Sequence, residues 1–460
     1  MAAIVTNRLK KQLLDTLFDD VSTSASNYYV GVGRSEQWDS SDTVVDPTNS
    51  LRSERNLRLA MQSVKKVADV SYVITRYNWS SGTTYNSWDD DLSGVPSNAY
   101  YVLTEDNQVY ICLQTGKNSS GTAVASTVKP TGSSTKPFKT SDGYIWKFMY
   151  GVSGANSSKF ASANFTPVQF ITDSSGDASL NSIEVQQATV QEAASKGQIL
   201  NVQVTTGGTG YTSAPTIAFR GNGSGAAATA FVSGGAVVKI EMDSSSDSGI
   251  AMGHSYDFAD VVLTGGGGSG CTTRPIIGPD SGLGYNPIND LRSSSLMFNV
   301  KPEGAENGDW IVNDQDYRQV ALIKGPNKTN TADSDFTATT GRVLRYLQVT
   351  SNADAATFSR DVTITGSNSG AKALIDDIDS DKIYAHQSEA TGFASFNEGE
   401  PITGGGSTAT LLSAGSDADS DAFYDDDVNR FSGDILYIEN RAAVARTADQ
   451  TEDIKVIITL

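Results

Sequence analysis

The residue types that most often do chemistry in proteins are scarce or isolated in this chain. Its two histidines, His254 and His386, lie far apart, and neither stands beside a serine or cysteine nucleophile motif. The two cysteines, Cys112 and Cys271, form no Cys-x-x-Cys pair and are too few for a secreted disulfide scaffold. A glycosidase-like carboxylate pair needs only two acids at a suitable separation, which sequence spacing does not reveal, so that class of hydrolase stays open.

Two patterns resemble ligand-binding loops but lack parts that the chemistry requires. The run at 221–226 (Gly-x-Gly-x-x-Ala) is a loose dinucleotide-binding fingerprint, yet no helix-length segment follows to present its N-terminus to a phosphate. The acidic runs at 377–381 and 417–421 alternate carboxylates as a cation site would, but they lack the glycine and glutamate of helix-loop-helix calcium loops. We predict no catalytic residue, no cofactor site and no metal site, and interpret both acidic runs as solvated turns, with a weak surface cation site as the alternative.

The charge balance excludes some partner classes. Fifty-three acidic against 34 basic residues give a formal net charge of -19, so a nucleic-acid backbone would be repelled. The excess acid either keeps the surface soluble or forms a specific docking face. Because the chain lacks a signal-peptide pattern and any apolar stretch of membrane-spanning length, we expect neither export nor membrane insertion.

Hydrophobic periodicity predicts two helices near the start of the chain and short strands after each. The first helix covers 7–21, is capped by Thr6 or Asn7, and carries a stripe at four-residue spacing that we interpret as core-facing: Leu9, Leu13, Leu17 and Val21. The second covers 51–68, with Leu57, Met61, Val64 and Val67 on one face. Predicted strands cover 27–33, 70–77, 100–103, 108–113 and 144–150. The long polar segment 114–142 is predicted to be a surface arm or partner-bound loop.

Glycine-rich runs divide the second half of the chain. Four of them, at 221–228, 265–270, 366–373 and 404–409, each follow a β-rich run and predict a strand, a tight glycine turn and a further strand. The fold class is therefore mainly β with a few α-helices: a multi-domain, β-sandwich-like core carrying two inserted small β modules. We predict core segments at 1–197, 286–330 and 417–460, with module one at 198–285 and module two at 331–416. The modules are either surface decoration or contacts for host-surface glycans.

Several segments of this chain, in order, resemble one viral family. They are 4–6 (Ile-Val-Thr), 31–38 (Gly-Val-Gly-Arg-Ser-Glu-Gln-Trp), 142–148 (Asp-Gly-Tyr-Ile-Trp-Lys-Phe), 317–323 (Tyr-Arg-Gln-Val-Ala-Leu-Ile), 432–441 (Ser-Gly-Asp-Ile-Leu-Tyr-Ile-Glu-Asn-Arg) and 447–460. The segments resemble the baseplate wedge subunit, the gene product eight family, of T-even-like contractile-tailed bacteriophages (myoviruses). The likeness covers 1 to about 195, about 286–326 and about 420–460, and leaves both glycine-rich modules outside it.

The resemblance implies a structural role without catalysis. The expected protein is a virion component that links other baseplate wedge subunits and takes part in tail assembly and contraction. It would be a homodimer, assembled in the host cytoplasm and located in the tail baseplate. The alternative is a tailspike-like protein that binds or depolymerises polysaccharide, although such proteins usually repeat a regular strand-coil unit through most of the chain.

Aromatic and charged residues within the resembling segments are candidate intersubunit contacts, because Trp, Tyr and Arg dominate the energetic centres of interfaces. The alternative for each is an ordinary structural role, such as Arg34 paired with Glu36 and Trp38 covering a sheet end. The candidates are Arg34, Glu36, Trp38, Tyr144, Trp146, Tyr437, Asn440 and Arg441.

Overall fold

Antiparallel β-strands dominate the molecule. A computed structural model of the chain describes residue 4 and residues 6–23, 27–93, 99–245, 249–303, 316–329, 334–413, 419–447 and 450–460. Strands hold 41% and helices 12% of the chain, so the predicted mainly β fold with a few helices is confirmed.

The described helices are short. They are α1 Asn7–Ser22, α2 Leu51–Ala60, α3 Gly154–Phe160, α4 Ser182–Glu192, α5 Pro287–Asp290 and α6 Asn352–Ala355. The first predicted helix is confirmed, with Thr6 at its N-cap position, although the Thr6 side chain makes no capping hydrogen bond. None of these described helices is long and apolar enough to cross a lipid bilayer.

The strands, in chain order, begin and end at the following residues. They are β1 Tyr28–Gly33, β2 Met61–Lys66, β3 Asp69–Thr75, β4 Tyr101–Leu103, β5 Gln108–Gln114, β6 Phe138–Lys139, β7 Ile145–Gly151, β8 Phe165–Val168, β9 Ile199–Thr209, β10 Thr216–Gly221, β11 Ser224–Ala226, β12 Ala228–Ser233, β13 Ala236–Met242, β14 Ser244–Ser245, β15 Gly249–Ile250, β16 Met252–His254, β17 Ala259–Thr264, β18 Ser269–Ile277, β19 Ser295–Val300, β20 Asp316–Lys324, β21 Thr340–Arg342, β22 Arg345–Gln348, β23 Thr363–Gly366, β24 Lys372–Asp379, β25 Lys382–His386, β26 Pro401–Gly404, β27 Ser407–Thr410, β28 Asp434–Ala445 and β29 Ile454–Thr459.

Two details of the predicted N-terminal helices are wrong. The helix predicted over 51–68 ends at Ala60, and the chain continues as β2, which hydrogen-bonds β1 on one side and β21 on the other. Pairing with two neighbouring strands outweighs the local helical period. In α1 the core-facing side chains are Leu14 and Val21, whereas Leu9 and Leu13 are exposed, so half of the predicted core stripe faces solvent.

The chain divides into two compact units, residues 1–70 with 296–460 (unit 1) and residues 71–295 (unit 2). Unit 1 contains a five-stranded antiparallel sheet in the order β21-β2-β1-β20-β28. One row across it reads Gly31, Ala321 and Ile438, so distant parts of the chain meet in register. An added Cβ at Gly31 would come 2.9 Å from the sulfur of Met61, so any larger residue there would require the end of the Met61 side chain to move.

A second sheet of unit 1 has six strands in the order β22-β25-β24-β23-β26-β27, all from the predicted module two. Its apolar core also includes Ala422 and Phe423, which lie past the predicted end of that module. Strand β21 falls inside the predicted module range but belongs to the five-stranded sheet. Residues 331–333 and 414–416, the two predicted ends, lie outside the described residues.

Unit 2 is built around an aromatic core under the sheet β4-β5-β7-β6. Helix α4 packs on β7 and contributes Val190 to this core. The polar segment 114–142 is held to unit 2 by hydrogen bonds within the chain. Asp142 accepts hydrogen bonds from the backbone N–H groups of Thr127 (2.8 Å) and Val128 (2.9 Å), and the Tyr144 hydroxyl donates to the carbonyl of Val124 (2.6 Å).

Each of the four glycine-rich runs lies between two strands. The run at 366–373 connects the paired strands β23 and β24, and the run at 404–409 connects β26 and β27, with Gly405 and Gly406 at positive φ. The runs at 221–228 and 265–270 separate β10 from β11 and β17 from β18, but these consecutive strands do not pair with each other. Instead β10 pairs with β17, β11 with β16 and β9 with β18, so these glycines lie along a nested ribbon. Its hairpin turn is at Gly234 and Gly235, where two adjacent positive-φ residues match the twist of the flanking strands.

Candidate functional site

The loop after β1 is held by contacts within its own chain. The Arg34 guanidinium lies 4.3 Å from the centroid of the Trp38 ring, and its Nη2 donates to the carbonyl of Gln37 (3.1 Å). The Trp38 indole Nε1 donates to the carbonyl of Arg441 on β28 (3.0 Å). Trp38 therefore ties the loop to the edge strand of the five-stranded sheet, which is the structural role that the sequence left open.

Arg318 on β20 also binds the loop after β1, a role that the sequence did not indicate. Its Nε donates to both carboxylate oxygens of Asp42 (2.9 and 3.0 Å), and its Nη1 donates to the carbonyl of Ser35 (2.5 Å). The hydrogen bond from Arg318 lowers the pKa of Asp42. Because the Arg318 side chain is buried, the loop after β1 brings the carboxylate of Asp42 to a cation held in the sheet.

A buried polar cluster, which we call the His386 cluster, joins this loop to the six-stranded sheet within unit 1. The Nδ1 of His386 lies 2.6 Å from Oδ2 of Asp376, and the hydroxyl of Ser35 donates to Oδ1 of Asp376 (2.6 Å). On the other side, the Ser388 hydroxyl donates to Oε1 of Glu36 (2.7 Å), and Nε2 of His386 lies 3.7 Å from the same oxygen. His386 is 1% exposed and Asp376 is fully buried, so the imidazole is enclosed between two carboxylates.

The electrostatics of this cluster fix its protonation state. Burial by itself disfavours a charged imidazole, but the charge of Asp376 and its hydrogen bond with the ring, together with the charge of Glu36, raise the pKa of His386 to about 10. Burial would also raise the pKa of Glu36, but the charge of His386, the hydrogen bond from Ser388 and the charge of Arg34 outweigh it and lower that pKa to about 2. At neutral pH His386 is therefore a buried cation, and it has no free lone pair with which to act as a general base.

The candidate contacts on β28 are also engaged within the chain while remaining partly exposed. Asn440 accepts a hydrogen bond from Gln319 on β20 (2.8 Å) and donates to the carbonyl of Val45 (2.7 Å). The Tyr437 hydroxyl donates to Glu439 (3.0 Å), and the Arg441 guanidinium lies 6.0 Å from the centroid of the Tyr317 ring. These side chains, with Arg34, Glu36 and Trp38, form one region of unit 1, and their contact with another chain stays a prediction.

Tyr144 and Trp146 lie elsewhere, in the core of unit 2. Both side chains are fully buried and stack on each other, with ring centroids 5.5 Å apart and planes inclined by 14°. Complete burial leaves them no surface to offer a partner, so of their two predicted roles the structure supports packing. Tyr144 immediately precedes β7 and Trp146 lies in it, two residues further on, so both side chains point into the same aromatic core.

Arginines form ion pairs with acids of both acidic runs. Asp377 accepts from Arg360 (2.6 Å), and Asp419 and Asp421 accept from the buried Arg345 (2.6 and 2.7 Å). Asp417 lies outside the described residues. Within the described ranges, no group of three or more His, Cys, Asp or Glu side chains could hold a metal ion. The prediction of a solvated turn is wrong for Asp377, which is a buried residue of β24, because its pairing with Arg360 allows the carboxylate to lie in the sheet.

One further pair has the ionisation properties of a catalytic site but not the access. In unit 2, burial lowers the pKa of Lys147 to about 8 and raises that of Asp290 to about 7. Lys147 donates to the carbonyl of Thr135 (2.6 Å), and Asp290 accepts from the N–H of Gly284 (2.7 Å). Lys147 is 3% exposed and Asp290 is 4% exposed, so no substrate reaches either side chain in this conformation.

No protein-family model matches the chain, and no curated protein matches it either.

Proposed function

We propose that this protein is a structural component of a contractile-tail baseplate wedge, where it forms a homodimer and links other wedge proteins. The observation that carries the proposal concerns three of the segments that resemble the wedge family, 31–38, 317–323 and 432–441. Although more than 100 residues separate any two of them in the sequence, they supply the adjacent strands β1, β20 and β28 of one sheet. A resemblance that converges on one continuous sheet carries more weight than scattered similarity.

The physical basis of such a role is rigidity. The loop after β1 is fixed to the five-stranded sheet by Arg318 and Trp38, and to the six-stranded sheet by the His386 cluster. Buried polar groups that are hydrogen-bonded or ion-paired with one another favour one arrangement of the elements that they join. A linking subunit needs this property, because contacts made at one surface must keep their position relative to contacts at another.

The polar clusters also argue for a scaffold and against turnover. The charged His386 is held between carboxylates, and Arg345 is occupied by the acidic run, so each group already has its partner inside the protein. Catalytic groups, by contrast, must be within reach of a substrate and able to change protonation state during the reaction. We therefore favour binding through partly exposed aromatic and charged side chains, such as Trp38 and Tyr437, over catalysis.

Immuno-electron microscopy of mature contractile tails tests the location directly. Antibodies raised against the purified chain should label the baseplate of tails from cells that produce it, and antibodies pre-absorbed with the same chain serve as the control. Tails that lack this chain would overturn the proposal.

The tailspike alternative predicts a different result in a separate assay. Release of reducing ends from host polysaccharide, abolished by one carboxylate substitution, would establish a depolymerase and remove the scaffold role. Sedimentation of the purified full chain tests the dimer, which should appear as a two-subunit particle at micromolar concentration.

A further inference from the structure

Three lysines of unit 2 meet where the segment between β5 and β6 packs on β13. Lys117 follows β5, Lys139 ends β6 and Lys239 lies in β13. The contact between the two segments is fixed beside these lysines, because Nε2 of Gln114 donates to the carbonyl of Ile240 (2.8 Å). We call Lys117, Lys139 and Lys239 the lysine cluster.

One carboxylate serves two members of the lysine cluster. Oε1 of Glu241 accepts a hydrogen bond from Lys239 (2.6 Å), and Oε2 accepts one from Lys139 (2.7 Å). Lys239 also donates to the carbonyl of Lys117 (3.3 Å), so the backbone of Lys117 lies beside this ion pair. The side chains of Lys239 and Glu241 are only 12% and 17% exposed, so solvent ions screen their charges less than they screen charges on an open surface.

The third ammonium group, that of Lys117, has no such partner. Among the residues that the structure describes, none forms a hydrogen bond or an ion pair with it. Lys117 is only partly exposed. Burial and the neighbouring charge of Lys239 lower its pKa, because both disfavour the charged form. A partly desolvated cation without a counter-charge is costly, so an anion that enters the lysine cluster would be stabilised there.

We propose that the lysine cluster binds a tetrahedral oxyanion of the phosphate type, with Lys117 as its main donor and with Lys139 and Lys239 beside it. All three donors are ammonium groups, which act as point charges with donors in three directions. The planar guanidinium of arginine suits a planar carboxylate better, so a cluster of lysines favours a phosphate group over a carboxylate. This site is separate from the contacts in unit 1 and does not rest on the proposed function.

An aromatic ring beside the lysine cluster indicates how the phosphate could be carried. Phe231 on β12 is the cross-strand partner of Lys239, and the Lys239 ammonium lies 4.5 Å from the centroid of its ring. Phe231 is 37% exposed, so part of its apolar surface is free to pack against a ligand. Two sources share the required chemistry, free inorganic phosphate and a phosphate group attached to a sugar that contacts Phe231.

Acetylation of lysine amines in the full chain, read by mass spectrometry, tests the site in the wild-type protein. Inorganic phosphate at about 10 mM should slow the acetylation of Lys117 at least about threefold, relative to sodium chloride at the same ionic strength. Lys196 is the matched control, since it is an exposed lysine of the same unit that pairs with Asp257 (2.9 Å). Its acetylation rate should be the same in both salts.

Substitutions should change phosphate affinity in opposite directions, as measured by phosphorus NMR titration. Lys117→Gln should raise the dissociation constant at least about tenfold, whereas Lys196→Gln should leave it within about twofold of wild type. Glu241→Gln releases Lys139 and Lys239 from their carboxylate and should lower the dissociation constant about threefold. A variant that merely folded less well would not bind phosphate more tightly.

Glucose 6-phosphate distinguishes the two sources. Binding at least about tenfold tighter than that of inorganic phosphate, with the gain lost in Phe231→Ala, would identify a sugar phosphate, and equal affinities would identify free phosphate. If phosphate does not protect Lys117 from acetylation, or if Lys117→Gln binds phosphate as wild type does, the oxyanion site is wrong. Location in the tail baseplate is decided independently by the antibody labelling.

Discussion

Replacing His386 with glutamine should destabilise unit 1 more than any other single polar change at the loop. The substitution keeps a donor for Asp376 but removes the positive charge that both flanking carboxylates face. The rise of the pKa of His386 from 6.5 to about 10 corresponds, at about 1.4 kcal/mol per pKa unit, to about 5 kcal/mol of preference for the charged ring. Breaking a buried ion pair by removing one partner typically costs about 3–5 kcal/mol. Because glutamine retains one hydrogen bond, we expect a loss of about 3 kcal/mol in the free energy of unfolding.

Hydrogen exchange measured at pH 7 on the full-length chain is the most direct assay. The amides of β24 and β25, which carry Asp376 and His386, should exchange roughly a hundredfold faster in the His386→Gln variant if opening of this sheet costs about 3 kcal/mol less. A urea titration should show the same loss as a lower midpoint. His254→Gln is the matched control, since the other histidine is exposed and should change stability by less than about 0.5 kcal/mol.

A second variant distinguishes loss of charge pairing from simple loss of packing. Replacing Asp376 with asparagine in the His386→Gln background removes the unpaired buried carboxylate, so this double variant should recover at least half of the lost stability. If His386→Gln unfolds at the same urea concentration as wild type, the electrostatic account of the cluster is refuted. If the double variant is less stable than the single one, the cost came from packing instead.

Three further predictions concern the same unit. Because the pKa of His386 is raised in the fold, its stabilising contribution is complete below about pH 6.5 and is lost as pH rises towards 10; the urea midpoint of wild type should fall over that range more steeply than that of His386→Gln. Trp38→Phe keeps the ring but removes the hydrogen bond to the Arg441 carbonyl, so the free energy of unfolding should drop by about 1 kcal/mol, and an unchanged value would show that this bond does not hold the loop. Gly33→Ala would bring a Cβ to 2.4 Å from the carbonyl oxygen of Ala60, so calorimetry should show a loss of about 1–3 kcal/mol, and full stability would mean that the backbone there yields freely.

Much of the fold follows from local patterns in the sequence. The four-residue apolar spacing and Thr6 placed α1 almost to the residue, and β-branched and aromatic runs placed β1, β5 and β7. Adjacent glycines also marked the turn at Gly405 and Gly406, because residues with positive φ are needed where two strands reverse directly. These features depend on residues that are close together in the chain, so the sequence alone is enough to predict them.

Long-range pairing decided the points that the sequence analysis missed. Helix α2 ends at Ala60 because the residues that follow form β2, which pairs with β1 and β21. Both partner strands are distant from β2 in the chain, so the local sequence does not reveal this pairing. At 221–228 the sequence predicted strands on both sides of the glycines but not their partners, because local composition does not reveal that β10 pairs with β17. The sequence also did not predict that Tyr144 and Trp146 are fully buried, because tertiary packing decides which faces of a strand are covered.

The His386 cluster is the clearest case of a feature that belongs to the tertiary structure alone. The sequence by itself determined a mainly β chain with too few reactive residues for familiar catalytic motifs, because composition and periodicity act over a few neighbouring positions. It could not bring Glu36 within reach of His386, since the two are separated by most of the chain and meet only when the loop after β1 docks beside β25. The charge of that histidine is a property of its burial between two carboxylates, and burial exists only in the folded protein.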